Sequence, residues 1–341
     1  MSIQKQIKTI DEISGSFSNT PVIKIVISYL GREYSVYGKY ETCSFSGSVK
    51  DRMIRYIIKN AYETGKLKEG FKICEATSGN TGIAVTSLGK FLGHDVEIFI
   101  PDWMSSERFK TLKLLGANLN LITKEQGGFE RAVSSSQKEG EKEGSFCVNQ
   151  FCNPLNIVAQ SESTARELLE FCKKNSITPD TFVAGVGTGG VVMGFERYRR
   201  LNNLKYSVHA LEPKQTPILT AKKIETLGNH RIDGIADDFL PKIVDLNLLD
   251  APVSIDDGDA VVMAQKICKQ GVSFGLSSGA NLVGCIKAMH EKNEKGEKSN
   301  VAITIFCDSM LKYLSTDIVN IEPEKPDHLT KDIKIVGIET F

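Results

Sequence analysis

Short β-branched runs recur along this chain, each ending in a loop of small residues that opens onto a helical pattern. Segments 71–76, 96–100, 119–123, 181–185, 207–212 and 301–307 read as strands bounded by Gly, Ser or Pro. They are apolar at successive positions instead of alternating, which fits sheets covered on both faces. Strand and helix in regular alternation imply parallel strands and an α/β fold. One helix is expected to open near Asp51 and another to run from Ile83 to Leu92. At 341 residues the chain has room for about two domains.

Ligands of such sheets bind beyond the carboxyl ends of the strands, where loops enter helices. Four loops there are rich in small residues: GSVKDR (47–52), TSGNTG (77–82), GVGTGG (185–190) and GLSSGA (275–280). GVGTGG matches the dinucleotide fingerprint, with Glu212 ending the next strand at the expected offset. Its physical content is more general: glycines let backbone amides approach any phosphate at a helix N-terminus. TSGNTG offers Thr77, Ser78, Asn80 and Thr81, groups that suit a carboxylate or a phenolate-type oxygen, or that simply cap a helix. GSVKDR puts Lys50 at a helix start, where an amine could form a Schiff base or act as a base, or could equally be a surface lysine with an acidic neighbour.

Charge narrows the partners. Lys and Arg together number 42, as do Asp and Glu, so the formal net charge is zero. The charges are interleaved, as in KEGEKEG (138–144), and no basic patch stands out for nucleic acid or an anionic membrane. Eight cysteines are scattered, with no C-x-x-C pair and no zinc spacing, so no metal site is expected and a reducing compartment is. The N-terminus lacks an apolar core like that of a signal peptide, and no uncharged stretch could span a bilayer. The expectation is a soluble, cytoplasmic protein.

Together a phosphate cradle, a carboxylate loop and a lysine in a Ser-Gly setting describe pyridoxal 5'-phosphate and an amino acid. The chain resembles the cysteine synthase / cystathionine β-synthase family of pyridoxal-phosphate enzymes. The resemblance runs through SNTPVIKI (18–25), SGSVKDR (46–52), TSGNTGIA (77–84), MSSERFKTLKLLGAN (104–118), VNQFCNP (148–154), GVGTGG, GIADDFLP (234–241), GVSFGLSSGA (271–280) and DSMLKYLST (308–316). It implies a two-domain, three-layer α/β/α enzyme of fold type II, similar to the tryptophan synthase β subunit. Residues 1–21 and 44–152 would form the smaller, mobile domain, and 22–43 and 153–320 the larger, phosphate-binding one. Residues 321–341 lose the pattern and read as a tail or a late edge element. A homodimer is implied as well.

Residue by residue, the resemblance makes Lys50 the covalent anchor of the cofactor and the base at the α-carbon. Asn80 would hydrogen-bond the cofactor's 3'-oxygen. Gly187, Thr188, Gly189, Gly190 and the amide of Val191 would bind the phosphate, and Ser277 would face the pyridine nitrogen. Thr77, Ser78, Thr81 and Gln150 would hold the substrate carboxylate. A serine at the ring nitrogen leaves a weaker electron sink than a carboxylate would, which suits β-elimination. The implied reaction is β-replacement or β-elimination on an L-serine-type amino acid through an α-aminoacrylate, with O-acetylserine, serine, cysteine or a phosphorylated serine as donor. Sulfide, a thiol or water would be the acceptor.

Departures from the family pattern bear on the acceptor. Ser44-Phe45-Ser46 replaces the common Asn-Pro segment before Gly47, and Val191 stands where a threonine is frequent. Cysteine synthases usually read GIGAGF where this chain reads GIADDF, and Asp238 and Asp308 follow the cystathionine-synthase pattern. An acid at the mouth would repel sulfide and could activate a neutral nucleophile; alternatively, Asp237 and Asp238 form a solvated turn. Cysteine synthase is the default activity. A hydrogen-sulfide-releasing cysteine lyase or a cystathionine β-synthase-like enzyme using Asp238 is the close rival, and a catalytically retired regulatory paralogue a remote one.

Overall fold

The computed structural model describes residues 3–221, 228–237 and 239–341. Its first sheet element is a hairpin. Strands β1 (Val22–Tyr29) and β2 (Arg32–Tyr40) pair antiparallel across Leu30 and Gly31, at φ 48° and 77°. Two successive positive φ values make the tight turn whose twist matches that of the flanking strands. Strands β3 (Lys72–Ala76), β4 (Val96–Pro101), β5 (Asn118–Ile122) and β6 (Ser145–Cys147) form a four-stranded parallel sheet in the order β5-β4-β3-β6. Strands β7 (Thr181–Gly185), β8 (Ser207–Pro213), β9 (Asp250–Ile255), β10 (Val301–Phe306) and β11 (Ile333–Thr340) join the hairpin in a seven-stranded sheet, β11-β1-β2-β10-β7-β8-β9.

This mixed sheet corrects the all-parallel expectation: β1 is antiparallel to both β2 and β11, while β2 meets β10 in parallel. Alternating side chains in β2, such as buried Tyr34 and Val36 around half-buried Ser35, give it a period of two that the βα reading passed over. Of the two readings of 321–341, tail or late edge element, the second holds at 333–340, where an edge strand is zipped along β1.

Ten helices surround the sheets among the described residues: α1 (Ile3–Glu12), α2 (Lys50–Glu63), α3 (Asn80–Phe91), α4 (Ser106–Leu114), α5 (Gly128–Gly140), α6 (Leu155–Gln160), α7 (Arg166–Lys174), α8 (Gly190–Leu201), α9 (Asp257–Cys268) and α10 (Leu276–Glu294). Consecutive strand residues point to opposite faces, so a strand covered on both sides must be apolar throughout. In β7, Val183 packs with α9 and α10 through Val261, Leu282 and Ile286, whereas Phe182 and Ala184 pack with α7 and α8 through Leu168, Val192 and Phe195. In β3, Ile73 belongs to a core with Ile54 and Ile57 of α2 and Leu88 of α3, and Cys74 to another with Phe129 and Ala132 of α5. Each such fully buried aliphatic side chain contributes about 1.5–3 kcal/mol. The carboxyl ends of β3, β7 and β10 carry TSGNTG, GVGTGG and Asp308, whereas GSVKDR follows β2 through a short turn and GLSSGA leads from α9 into α10 with no strand before it.

Candidate active site

Three consecutive residues at the start of α2 do three different things. Asp51 is buried and accepts from the Ser46 amide at 2.8 Å and the Ser46 hydroxyl at 2.6 Å, fastening the preceding loop to the helix. Burial pushes its carboxyl up, and the Ser46 and Ser48 donors pull it back in part. Arg52, fully buried, is held by Glu41 at 2.7 Å and Glu167 at 2.8 Å. Lys50, between this ballast and Val49, is left to line a cleft.

The other candidate residues converge on that cleft. Thr77, Ser78, Asn80, Thr81, Gln150, Gly187, Thr188, Gly189, Val191 and Ser277 all line it with Lys50. Helix α3 begins at Asn80 rather than at Ile83, so Asn80 and Thr81 sit in its first turn. Gly79 before them has φ +154°, and a Cβ there would lie 2.4 Å from Cδ of Arg108. That position therefore needs glycine on both counts. The Thr77 hydroxyl accepts from the Gly79 amide at 2.9 Å, fixing the bend. Thr81 donates to Gln150 Oε1 at 2.6 Å, and Gln150 Nε2 donates to the Ala76 carbonyl at 2.8 Å. The floor of the TSGNTG loop is thus a set of mutually satisfied polar groups.

The glycine-rich loop ends at Gly189 (φ +82°), directly before α8. Gly190, the first residue of α8, turns its Cα toward Asn156, leaving 1.9 Å for a Cβ, and only its loop neighbours line the cleft. Asn156 donates to the Thr188 hydroxyl at 3.0 Å and to the Gln150 carbonyl at 3.1 Å, joining the two loops. Gly187 lies so close to the 228–237 segment that a Cβ would be 2.2 Å from the Gly234 carbonyl. Glu212, the acid that a dinucleotide would require, is fully buried and accepts from the Leu219 amide and the Thr220 hydroxyl, both at 2.6 Å. It is bound into its own loop.

Sequence reasoning missed several residues. Cys307 lines the cleft, and burial together with the Asp308 charge raises its thiol to about 11. Asn281 ties the Gly185 amide (2.8 Å) to the Ile305 carbonyl (2.8 Å), holding the ends of β7 and β10 together. Asp308, by contrast, is singled out by the sequence, though its partners are not; it accepts from Asn80 Nδ2 at 2.8 Å and from the Tyr313 hydroxyl at 2.6 Å. Arg108 reaches Asp233 at 2.9 Å. Arg108, Asp308 and Tyr313 fall inside segments that resemble the family, but nothing in their spacing marks them as meeting. Asp237 lines the cleft and its wider outer chamber, which is bounded by Trp103, Lys124 and Arg231. Asp238 lies outside the described residues.

The donor set fits pyridoxal phosphate. A lysine amine, a side-chain amide, a serine hydroxyl and the amide-rich start of a helix face one cleft, and no metal-holding cluster of acidic, histidine or cysteine residues occurs among the described residues. Comparisons with known proteins agree. An enzyme from Fusobacterium nucleatum described as hydrogen sulfide-producing superposes with a TM-score of 0.92, at 39% identity over 98% of this chain and 99% of its own. A cysteine synthase from Entamoeba histolytica superposes with a TM-score of 0.78, at 31% identity over 92% of this chain and 91% of its own. A cysteine synthase of Buchnera aphidicola is 32% identical over 91% of this chain and 96% of its own length. Residues 13–308 match the family model described as pyridoxal-phosphate dependent enzyme, and the chain belongs to that family.

Proposed function

We propose that this enzyme acts on an L-serine-type amino acid by β-elimination or β-replacement, and that cysteine is the donor and hydrogen sulfide the released product. The observation that carries the choice is the likeness to the Fusobacterium enzyme described as hydrogen sulfide-producing, at 39% identity over 98% of this chain. Asp233 and Asp237 face the cleft beside the cations Lys50 and Arg108, and Asp308 is buried against Asn80.

Bound pyridoxal phosphate supplies the electron sink that lets an α-proton leave. The chain's own residues do the rest. Lys50 would anchor the cofactor and, with its amine freed, would take the α-proton and later return it. Asn80 would donate to the ring oxygen, Ser277 would face the ring nitrogen, and amides of the Gly187 to Val191 loop would hold the phosphate at the α8 N-terminus. Thr77, Ser78, Thr81 and Gln150 hold the substrate carboxylate. Asp238 is assigned activation of the neutral acceptor by resemblance alone. With water as acceptor, the C–S bond breaks and a C–O bond forms, so cysteine and water give serine and hydrogen sulfide. All eight cysteines are free thiols, in keeping with a proposed cytoplasmic location. A homodimer is proposed on the family resemblance.

Cysteine synthase activity is the second reading, favoured by the cysteine synthases at about 30% identity. Purified holoenzyme given cysteine alone, and separately O-acetylserine with sulfide, separates the two. Sulfide release from cysteine at the higher kcat/KM supports the first reading, and faster cysteine formation from O-acetylserine overturns it.

A further inference from the structure

Lys312 is half-buried, and its ammonium meets three acceptors on two other segments. It donates to Asn80 Oδ1 at 2.8 Å, to the Gly47 carbonyl at 3.0 Å and to the Ser46 carbonyl at 3.4 Å. An ammonium carries three donors and no acceptor, so this set is matched in number. The opposite end of the Asn80 amide meets Asp308, which accepts from Nδ2 at 2.8 Å. A carboxylate accepts and an ammonium donates, so the two neighbours fix the amide in one sense and a flipped amide would be repelled at both ends.

We propose that Lys312 is a positioning residue for the cofactor: by holding Asn80 Oδ1 it keeps the amide NH2 directed at the ring oxygen, and by holding Ser46 and Gly47 it sets the loop that delivers Lys50. The proposal rests on the reading that Asn80 donates to the cofactor. Three features support it. The Ser46–Gly47 segment lies three residues before Lys50, and Gly47 has φ +82°, a left-handed turn that a restraint on its carbonyl would stabilise. Ser105 Oγ donates to the Lys312 carbonyl at 3.0 Å, so the backbone carrying the ammonium is itself anchored. Burial lowers the ammonium's pKa, which the Asp308 and Asp51 charges partly restore, so it is held where its charge is costly. The three acceptors it orients offset that cost.

The test is a double-mutant cycle on cofactor binding to the apoprotein, read by fluorescence titration with pyridoxal phosphate. Lys312→Met should weaken binding by about tenfold to a hundredfold, the loss typical of one charge-assisted hydrogen bond. In the Asn80→Ala background the same substitution should cost at least about threefold less, because only its path through Ser46 and Gly47 remains. Lys312→Arg, which keeps charge and donors, should recover most of the loss. An equal loss in both backgrounds overturns the proposal, since Lys312 then acts without Asn80. If Asn80→Ala alone leaves affinity unchanged, the reading of Asn80 falls instead. Should the methionine variant fail to fold, Lys312→Gln carries the same cycle: a smaller loss in the Asn80→Ala background supports the proposal, and an equal one overturns it.

Discussion

Arg108 and Asp233 join across the cleft at 2.9 Å, one on α4 beside the smaller sheet and the other in the segment between β8 and β9 of the larger. The guanidinium also lies over the Tyr313 ring, 5.1 Å from its centroid, and the Tyr313 hydroxyl donates to Asp308. Asp233, Arg108, Tyr313, Asp308 and Asn80 therefore form one continuous line of contacts from the mouth of the cleft to its floor. The partners differ in burial: the Arg108 side chain is 1% exposed and that of Asp233 27%.

That asymmetry makes a stability prediction. Asp233→Asn leaves a guanidinium charge buried without its counter-ion, whereas Arg108→Met leaves a carboxylate that water can reach. Asp233→Asn should cost about 2–3 kcal/mol and Arg108→Met about half of that. Chemical denaturation of the two variants checks the order, and a larger loss from Arg108→Met would contradict it.

Glu167 should govern part of the acid limb of unfolding. Burial works to raise its carboxyl pKa, but hydrogen bonds and charges from Arg52 and Lys39 more than reverse this, so the group lies below the usual carboxylate range. A depressed pKa contributes stability above the unfolded value of about 4.3, and that stability is lost as pH falls through the folded value. Glu167→Gln should lower stability at pH 7 by about 3 kcal/mol, and its stability should change less than the parent's below pH ~4.3. Melting curves from pH 3 to 7 show whether the acid limb flattens.

Legibility in the sequence followed the range of the physical signal. The parallel strands and the four loops were visible because strand, turn and helix are local patterns, and the chemistry of each loop was enough to single out Lys50, Asn80, Gly187 and Ser277, which line one cleft. The β1–β2 hairpin was missed although Leu30-Gly31 sits between two apolar runs, because leucine at positive φ is not a residue that announces a tight turn. The sequence leaves edge strand β11 open between tail and edge element, and its pairing was not legible because its partner, β1, lies some 300 residues away in the chain. Lys312 and Arg108 could not be placed for the same reason. Their partners Asn80 and Asp233 are 232 and 125 residues distant, and a single sequence holds no signal at that range.

Glu75, on β3 immediately before the TSGNTG loop, gives the opposite pH signature. It is fully buried, and burial raises its carboxyl well above the usual range despite the Ala76 and Gln150 amides that donate to it. The folded state then keeps a proton that the unfolded state releases above pH ~4.3, so this group's contribution declines with rising pH, by up to ~1.4 kcal/mol per unit. In Glu75→Gln that slope should vanish. Urea midpoints between pH 5 and 8 should therefore fall more steeply in the parent than in the variant, and parallel slopes would show that Glu75 is ionised in the fold.

Gly189 tests the cradle at the start of α8. Its φ of +82° is left-handed, and a Cβ there would lie 2.1 Å from Cγ2 of Val244. Alanine would meet a conformational cost of about 1–2 kcal/mol and a collision besides, so the loop must shift away from the position that aligns its amides. Since those amides are the proposed phosphate contacts, Gly189→Ala should weaken pyridoxal phosphate binding by about tenfold or more. Pyridoxal without its phosphate should lose much less. Adding Val244→Ala removes the collision but not the backbone strain, so the double variant should recover part of the affinity and not all of it. Complete recovery would show that the left-handed backbone matters little, and a loss as large for pyridoxal as for its phosphate would detach this loop from the phosphate.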